Sequence, residues 1–185
     1  MSTIVGISGS LRNGSYNTGL LRAAKEVAPD GTHLEIASIR EIPLYDGDVE
    51  AQGGIPDAVS RLKDRIAGAD GLLLATPEYN NSIPGVFKNA IDWLTRPPSD
   101  IQRVFGDRPV AVIGASLGRG GTMLAQAAWL PVLRTLNTRP WFGPRLLVGS
   151  ANRAFNEAGQ LVDEQVRSDL RKFMAGFAEF IARGR

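Results

Sequence analysis

The fold of this chain is decided where TIVGIS (residues 3–8) runs directly into GSLRNGSYN (residues 9–17). The first stretch is almost wholly apolar, which predicts a central parallel strand buried on both faces. The second stretch is rich in glycine, serine and asparagine, contains Arg12, and precedes a helical pattern that begins at Thr18. Inward-turned backbone N–H groups, hydroxyls, a guanidinium and the positive end of a helix dipole together form an anion pocket. The junction therefore predicts a strand, a phosphate-binding loop and a helix.

Two familiar phosphate-binding motifs do not match this loop. It lacks the G-x-G-x-x-G spacing of a dinucleotide-binding turn, and Leu20-Leu21 stands where a P-loop requires Lys and Ser or Thr. An ordinary turn in which Ser15 or Asn17 caps the following helix is the plain structural alternative. A hydroxyl-rich loop that encloses a terminal phosphate suits a mononucleotide, and FMN is the candidate ligand.

Composition narrows the class of protein. A length of 185 residues predicts one domain, residues 1–185, that is long enough to bury a good core. No apolar run reaches membrane-spanning length and no signal-peptide pattern opens the chain, so we expect no membrane partner. The absence of cysteine fits a cytoplasmic protein, and the single histidine, His33, argues against a zinc site. A net charge of +2 with scattered basic residues argues against nucleic-acid binding.

Strands and helices alternate along the chain. The predicted strands are residues 3–8, 34–37, 71–76, 109–114 and 146–148. The predicted helices are residues 18–27, a helix that opens at Pro56, residues 86–94, residues 123–136, and a last helix that buries apolar residues between 166 and 181. This alternation predicts an α/β fold with a five-stranded parallel sheet and helices on both faces. Three unusual loops follow the first, third and fourth strands, so we expect them to meet at the carboxyl edge of the sheet, where ligands bind.

The loop after the third strand, residues 77–85, has proline near both ends and Tyr79 between polar residues. A stiff backbone beside an aromatic ring suits a flat heteroaromatic ligand, and Asn80 can both donate and accept hydrogen bonds at the ligand's edge. The alternative is a proline-rich turn that only starts the next helix.

The loop after the fourth strand, residues 114–118, matches the G-x-S-x-G nucleophile elbow of serine hydrolases around Ser116. That mechanism needs a histidine base, and the single histidine of this chain lies upstream, near the second strand. A hydrolase is therefore a remote alternative. The glycines of the loop are better interpreted as room for a ring system close to the backbone.

Together these motifs identify a family resemblance. The chain resembles the NAD(P)H-dependent FMN reductases of flavodoxin-like fold, a group that includes chromate and quinone reductases and related azoreductases. The similar stretches are GSLR (residues 9–12) with Ser15 and Asn17, TPEYN (residues 76–80) with its continuation to Trp93, and GAS (residues 114–116) with Gly118 and Gly121. The likeness runs from residue 3 to about residue 136. It implies a three-layer sandwich, strand order 2-1-3-4-5, and a homodimer that often pairs into a homotetramer.

By position, the resemblance also implies the FMN contacts. The phosphate would be held by Ser10, Arg12, Ser15, Tyr16 and Asn17. The isoalloxazine would be lined by Pro77, Glu78, Tyr79 and Asn80 on one side and by Ser116, Leu117 and Gly118 on the other. In one departure, the apolar residues 123–125 stand where the family often has a basic residue, which leaves the choice between NADH and NADPH open.

The function that the resemblance implies is an FMN-dependent oxidoreductase. NAD(P)H would pass a hydride to the flavin and leave, and an electron acceptor would then use the same face, so no side chain is predicted as an acid or base. The acceptor is a small molecule: quinones, chromate, azo compounds, ferric chelates and free flavin all stay open. The alternative is a flavodoxin-type electron carrier. The net charge of +2 favours the enzyme, because carriers are typically acidic.

Overall fold

The computed structural model describes residues 1–184 and contains a single sheet of parallel strands. The strands are β1 (Ser2–Ser8), β2 (Thr32–Ala37), β3 (Gly71–Ala75), β4 (Pro109–Ala115), β5 (Arg139–Pro140) and β6 (Leu146–Val148). Their order is β2-β1-β3-β4-β5, with β6 also paired to β4. This order confirms the predicted flavodoxin-like topology, in which the strand order reverses beside β1.

Helices cover both faces of the sheet. They are α1 (Tyr16–Glu26), α2 (Gly47–Gly53), α3 (Asp57–Ala67), α4 (Gly85–Leu94), α5 (Ile101–Val104), α6 (Met123–Thr135), α7 (Ala151–Ala154) and α8 (Glu164–Arg183). One core cluster packs α1 and α8 against the sheet, and a second packs α3, α4 and α6 against the other face. In β1, Ile4 belongs to the first cluster while Val5 and Ile7 belong to the second. The strand is therefore buried on both faces, as its apolar sequence predicts.

The predicted fifth strand, residues 146–148, is confirmed as β6, and the far edge of the sheet also contains the two-residue strand β5, which was not predicted. Two short strands share that position: β5 pairs Pro140 with Val110, and β6 pairs Leu146 with Ile113. The Trp141 N–H still donates to the Val110 carbonyl of β4 at 2.8 Å, and the Trp141 ring packs on α8 with its centroid 4.8 Å from that of Phe173. Beyond Trp141 the chain leaves the sheet until β6 begins. Because β5 has only two residues, it carries no periodic pattern from which the sequence could predict it.

Helix α2 was not predicted. The Asp46 carboxylate accepts a hydrogen bond from the Asp48 N–H and caps this seven-residue helix. None of the α2 residues is buried, so the segment carries no apolar periodicity that could reveal it. By contrast, α8 buries the predicted aromatic residues Phe173 and Phe177 in the core.

Within residues 1–184, no helix is both long and apolar enough to cross a lipid bilayer.

Candidate functional site

Three loops meet at the carboxyl edge of the sheet and enclose a cavity of about 350 Å³. They follow β1, β3 and β4, the strands from which the sequence predicts them. The cavity is lined by eleven of the twelve predicted residues: Ser10, Arg12, Ser15, Tyr16, Asn17, Pro77, Glu78, Tyr79, Ser116, Leu117 and Gly118. Asn80 lies outside this lining. Ala115, Gly120 and Gly121 also belong to it although they were not predicted contacts; Ala115 and Gly121 lie in the third stretch of the family resemblance, and Gly120 lies in the glycine-rich run after β4.

The loop after β1 supplies hydroxyls and a guanidinium. Ser15 is the N-cap of α1, and its side-chain oxygen accepts a hydrogen bond from the Thr18 N–H at 3.3 Å. Ser10 Oγ accepts a hydrogen bond from the Arg12 N–H at 3.3 Å. In both cases the hydroxyl acts as an acceptor, so its own O–H stays available to donate to a ligand. The Arg12 side chain is exposed, and no carboxylate of residues 1–184 forms an ion pair with it.

Asn17 joins the first loop to the fourth strand. Its side chain is buried and forms two hydrogen bonds with the backbone of Ala115: Nδ2 donates to the carbonyl at 2.9 Å and Oδ1 accepts from the N–H at 2.9 Å. Only one amide hydrogen of Asn17 remains for a ligand. The residue therefore holds two of the three loops in register.

The loop after β3 folds into a tight turn. Tyr79 and Ser82 exchange two backbone hydrogen bonds, at 3.1 and 3.0 Å, around Asn80 and Asn81. Both asparagines have positive φ, 49° and 62°, as the two central residues of a type I′ turn do. Asparagine adopts this left-handed conformation more readily than most residues. This geometry places the Tyr79 ring on the rim, 46 % exposed, and carries Asn80 past the cavity.

Glu78 connects the same loop to α6. Its Oε2 atom accepts hydrogen bonds from the backbone N–H groups of Leu124 (2.8 Å) and Ala125 (2.9 Å) in the first turn of the helix. The helix's own N-cap residue, Thr122, makes no side-chain capping bond. Glu78 therefore caps α6 from a distant part of the chain, and its carboxylate lies at the positive end of the helix dipole.

Ser116 is not arranged as a nucleophile. Its Oγ donates a hydrogen bond to the Gly121 carbonyl at 2.5 Å, which closes the loop after β4. His33 lies near the start of β2, at the opposite edge of the sheet, paired with Thr3 in the register. Because the hydroxyl faces a carbonyl rather than a base, the hydrolase alternative has no geometric support.

Close packing explains one glycine of this loop. A Cβ atom on Gly114 would lie 2.3 Å from the Thr76 carbonyl oxygen and 2.1 Å from Thr122 Oγ1. Any side chain there would push the ends of β3 and β4 apart, so glycine keeps two of the three loops close together.

The residues present fit a flat ring that carries a phosphate. Serine hydroxyls and Arg12 at one end of the cavity suit a dianionic phosphate. At the other end, which the Tyr79 ring also lines, a Cβ atom on Gly120 would meet nothing within 4 Å and one on Gly118 would meet only Ser116 Oγ, at 3.8 Å, so the glycine backbone leaves room for a ring. A flavodoxin-like sheet with such a cavity at its carboxyl edge defines a flavin mononucleotide-binding protein.

Comparison with known proteins identifies the family. The sequence model of the NADPH-dependent FMN reductase family matches residues 2–153. The chain is 47 % identical to an NAD(P)H-dependent FMN reductase of Pseudomonas aeruginosa, over 89 % of this chain and 86 % of that protein. It is 37 % identical to a 2-hydroxy-1,4-benzoquinone reductase of a Burkholderia species, over 95 % and 93 %. Among solved structures, the flavoenzyme NAD(P)H:(acceptor) oxidoreductase FerB of Paracoccus denitrificans superposes with a TM-score of 0.87 at 36 % identity, covering 99 % of this chain and 98 % of that one.

The chain belongs to the NADPH-dependent FMN reductase family. It is an FMN-dependent oxidoreductase that uses NAD(P)H as co-substrate.

Proposed function

We propose that this enzyme reduces quinone-like acceptors with NAD(P)H by a ping-pong mechanism. The observation that carries the proposal is the single cavity that three loops enclose at the carboxyl edge of the sheet. A ligand ring seated between the loops leaves one open face, which NAD(P)H and the acceptor must use in turn. The names of two relatives, the Burkholderia benzoquinone reductase and a quinone reductase of Escherichia coli that is 35 % identical, support quinones as the acceptor class.

The FMN phosphate is assigned to the loop after β1. The Ser10 and Ser15 hydroxyls would donate hydrogen bonds to phosphate oxygens, Arg12 would contribute charge-assisted hydrogen bonds, and Tyr16 lines the same end of the cavity. Asn17 acts mainly by holding this loop against Ala115.

The isoalloxazine is assigned to the other two loops. Pro77 and Tyr79 lie along one side, and Ser116, Leu117 and Gly118 lie along the other. Glu78 lines the cavity while its carboxylate caps α6, and Asn80 contributes through the shape of the turn rather than through a contact. Leu117 and Tyr79 are exposed at the rim, which suits a planar, partly apolar acceptor.

Bound FMN supplies the hydride chemistry, accepting two electrons from NAD(P)H and passing them to the acceptor. The chain's own residues bind and orient the reactants and limit the access of water. None of them needs to hold or move a proton for the hydride to be transferred, so we assign no acid or base.

The same geometry supports an oligomer. Four apolar side chains, on α6 and on the segment between β5 and β6, are 45–77 % exposed: Met123, Leu124, Leu130 and Phe142. An apolar cavity of about 440 Å³ lies between them and Trp141. Exposed apolar patches of this kind mark association surfaces. We propose that the protein assembles through this patch as a homodimer or homotetramer.

We also propose that residues 1–185 form one FMN-binding domain. The protein would work in the cytoplasm, where its reduced nicotinamide co-substrates are found.

Purified protein loaded with FMN tests the function. Steady-state rates measured with varied NADPH and varied 1,4-benzoquinone should give parallel lines in double-reciprocal plots, as expected for ping-pong kinetics. Riboflavin, which lacks the phosphate, should bind far more weakly than FMN. Stepwise reduction followed by absorbance and electron spin resonance should show little radical. A large stable radical signal together with negligible oxidation of NADPH in the presence of quinone would instead support the flavodoxin-type carrier.

A further inference from the structure

A second cavity, of about 240 Å³, lies on the far side of the phosphate loop. It shares Ser10 and Arg12 with the FMN cavity, and the rest of its lining comes from the end of β1, the phosphate loop, α1, the end of β2 and the segment after β2. The residues found only in this second cavity include Asn13, Arg22, Ser38 and Arg40. No acidic residue belongs to the lining. We call it the arginine cavity, after Arg12, Arg22 and Arg40.

The positive charge of this cavity is not neutralised by the chain. The acidic neighbours in sequence are engaged elsewhere: Glu41 pairs with Arg61 at 2.9 Å, and Glu26, one turn along α1 from Arg22, pairs with Arg167 at 3.0 Å. Within residues 1–184, none of the three guanidinium groups forms an ion pair. Like charges held together without a counter-ion repel one another, and a bound anion relieves that repulsion.

Arg40 also fixes the shape of the cavity. Its Nη2 atom donates hydrogen bonds to the Leu11 carbonyl and to Asn13 Oδ1, the latter at 3.1 Å. The Arg40 N–H in turn donates to Ser38 Oγ at 3.1 Å. The segment after β2 is thereby tied to the phosphate loop, so an anion in the arginine cavity would lie directly behind the proposed FMN phosphate site.

We infer that the arginine cavity binds the 2′-phosphate of NADPH. This inference rests on the proposed function, because it takes the first cavity as the FMN site. A dinucleotide whose nicotinamide enters that cavity must place its pyrophosphate and adenosine outside it. The adjacent surface with guanidinium groups that the proposed FMN site does not use is the arginine cavity, where Arg22 and Arg40 lie beside Arg12 and which shares two residues with the first. NADPH carries a phosphomonoester on the adenosine ribose where NADH carries only a hydroxyl, so this cavity distinguishes the two co-substrates.

Ser38 offers the sharpest test, because Ser38→Asp and Ser38→Asn differ by one charge at nearly constant shape. Both replacements keep a side-chain oxygen that can accept the Arg40 N–H. One added negative charge about 6 Å from a phosphate in a solvent-exposed site weakens binding roughly tenfold. In FMN-loaded protein, we expect Ser38→Asp to lower kcat/KM for NADPH by about tenfold relative to Ser38→Asn, with kcat/KM for NADH unchanged. The difference should shrink at high ionic strength.

A second pair of variants tests the positive charge itself. Arg22→Gln removes a guanidinium that the proposed FMN site does not use, and Arg171→Gln is the matched control on the exposed face of α8. Binding to the FMN-loaded parent should be measured calorimetrically with adenosine 2′,5′-bisphosphate, 5′-AMP and inorganic phosphate. We expect the bisphosphate to bind about tenfold more tightly than 5′-AMP. Arg22→Gln should remove that advantage, and Arg171→Gln should retain it.

Three results would overturn the inference. One is equal binding of the bisphosphate and 5′-AMP, with the same NADPH-to-NADH preference in every variant. The second is binding of inorganic phosphate as tight as that of the bisphosphate, and the third is weakened FMN binding in Ser38→Asp; either of these would assign the cavity to another phosphate. Each of these leaves the oxidoreductase itself intact. Failure of the parent to bind FMN or to oxidise either nucleotide would contradict the proposed function instead.

Discussion

Replacement of Glu78 should loosen α6 and the FMN cavity together. Its carboxylate accepts hydrogen bonds from two N–H groups at the start of α6, at 2.8 and 2.9 Å, while the N-cap residue Thr122 supplies none. A hydrogen bond to a charged group contributes about 1.5–3 kcal/mol, and a favourable charge at a helix N-terminus adds about 0.3–1 kcal/mol. Water replaces part of this interaction because one of the two bonds is exposed. We therefore expect Glu78→Ala to cost about 2 kcal/mol of unfolding free energy.

For a chain of this length, a loss of about 2 kcal/mol lowers the melting temperature by about 4–8 °C. Thermal unfolding of the FMN-free protein, followed by circular dichroism, measures it. Glu78→Gln keeps an acceptor oxygen without the charge and should lose about half as much. Glu157→Ala, an exposed glutamate away from the cavity, is the control and should stay within about 0.5 kcal/mol of the parent. FMN should also bind more weakly to Glu78→Ala. Equal melting temperatures for Glu78→Ala and Glu157→Ala would refute the capping argument.

Three further predictions concern single side chains. Arg12→Ala should weaken FMN about ten- to a hundredfold in fluorescence titrations while leaving riboflavin affinity unchanged, because only the phosphate contact is lost; equal losses for both flavins would place Arg12 elsewhere. Ser116→Ala should keep quinone-reductase turnover within about tenfold of the parent, since one neutral hydrogen bond is lost; an esterase activity that disappears with this change would revive the hydrolase. Asp100→Asn should cost about 2 kcal/mol at neutral pH in urea unfolding, because buried Lys63 loses its 2.6 Å partner. Hydrogen bonds from Lys63, and to a smaller extent from Arg103, lower the pKa of Asp100. The extra unfolding free energy of the parent over Asp100→Asn should therefore be complete above the ordinary aspartate pKa and should vanish as the pH falls through the lowered pKa of Asp100. A difference in unfolding free energy that does not change with pH would exclude the ion pair as its cause.

The local sequence was sufficient to predict the architecture and the location of the site. An apolar stretch such as residues 3–8 has no solvent-facing side, so it must become a buried central strand whatever surrounds it. Regular alternation with helices then requires parallel strands, and parallel strands bring the loops that follow them to one edge. The meeting of the loops after β1, β3 and β4 was therefore predictable before any contact was known. The resemblance to a family supplied the particular residues.

Only the tertiary structure decided how those residues are used. Asn17 bonds to Ala115 across 98 residues of sequence, and Glu78 bonds to Leu124 across 46. Neither pairing leaves a periodic signal, because periodicity reports which face of an element is buried and not which atom lies opposite. The position of Asn80 was likewise not visible in the sequence. Its motif predicts a contact with the ligand, but its left-handed backbone conformation places it outside the lining of the cavity. The additional strand β5 and the arginine cavity likewise depend on packing between distant segments, and such packing exists only once the sheet has formed.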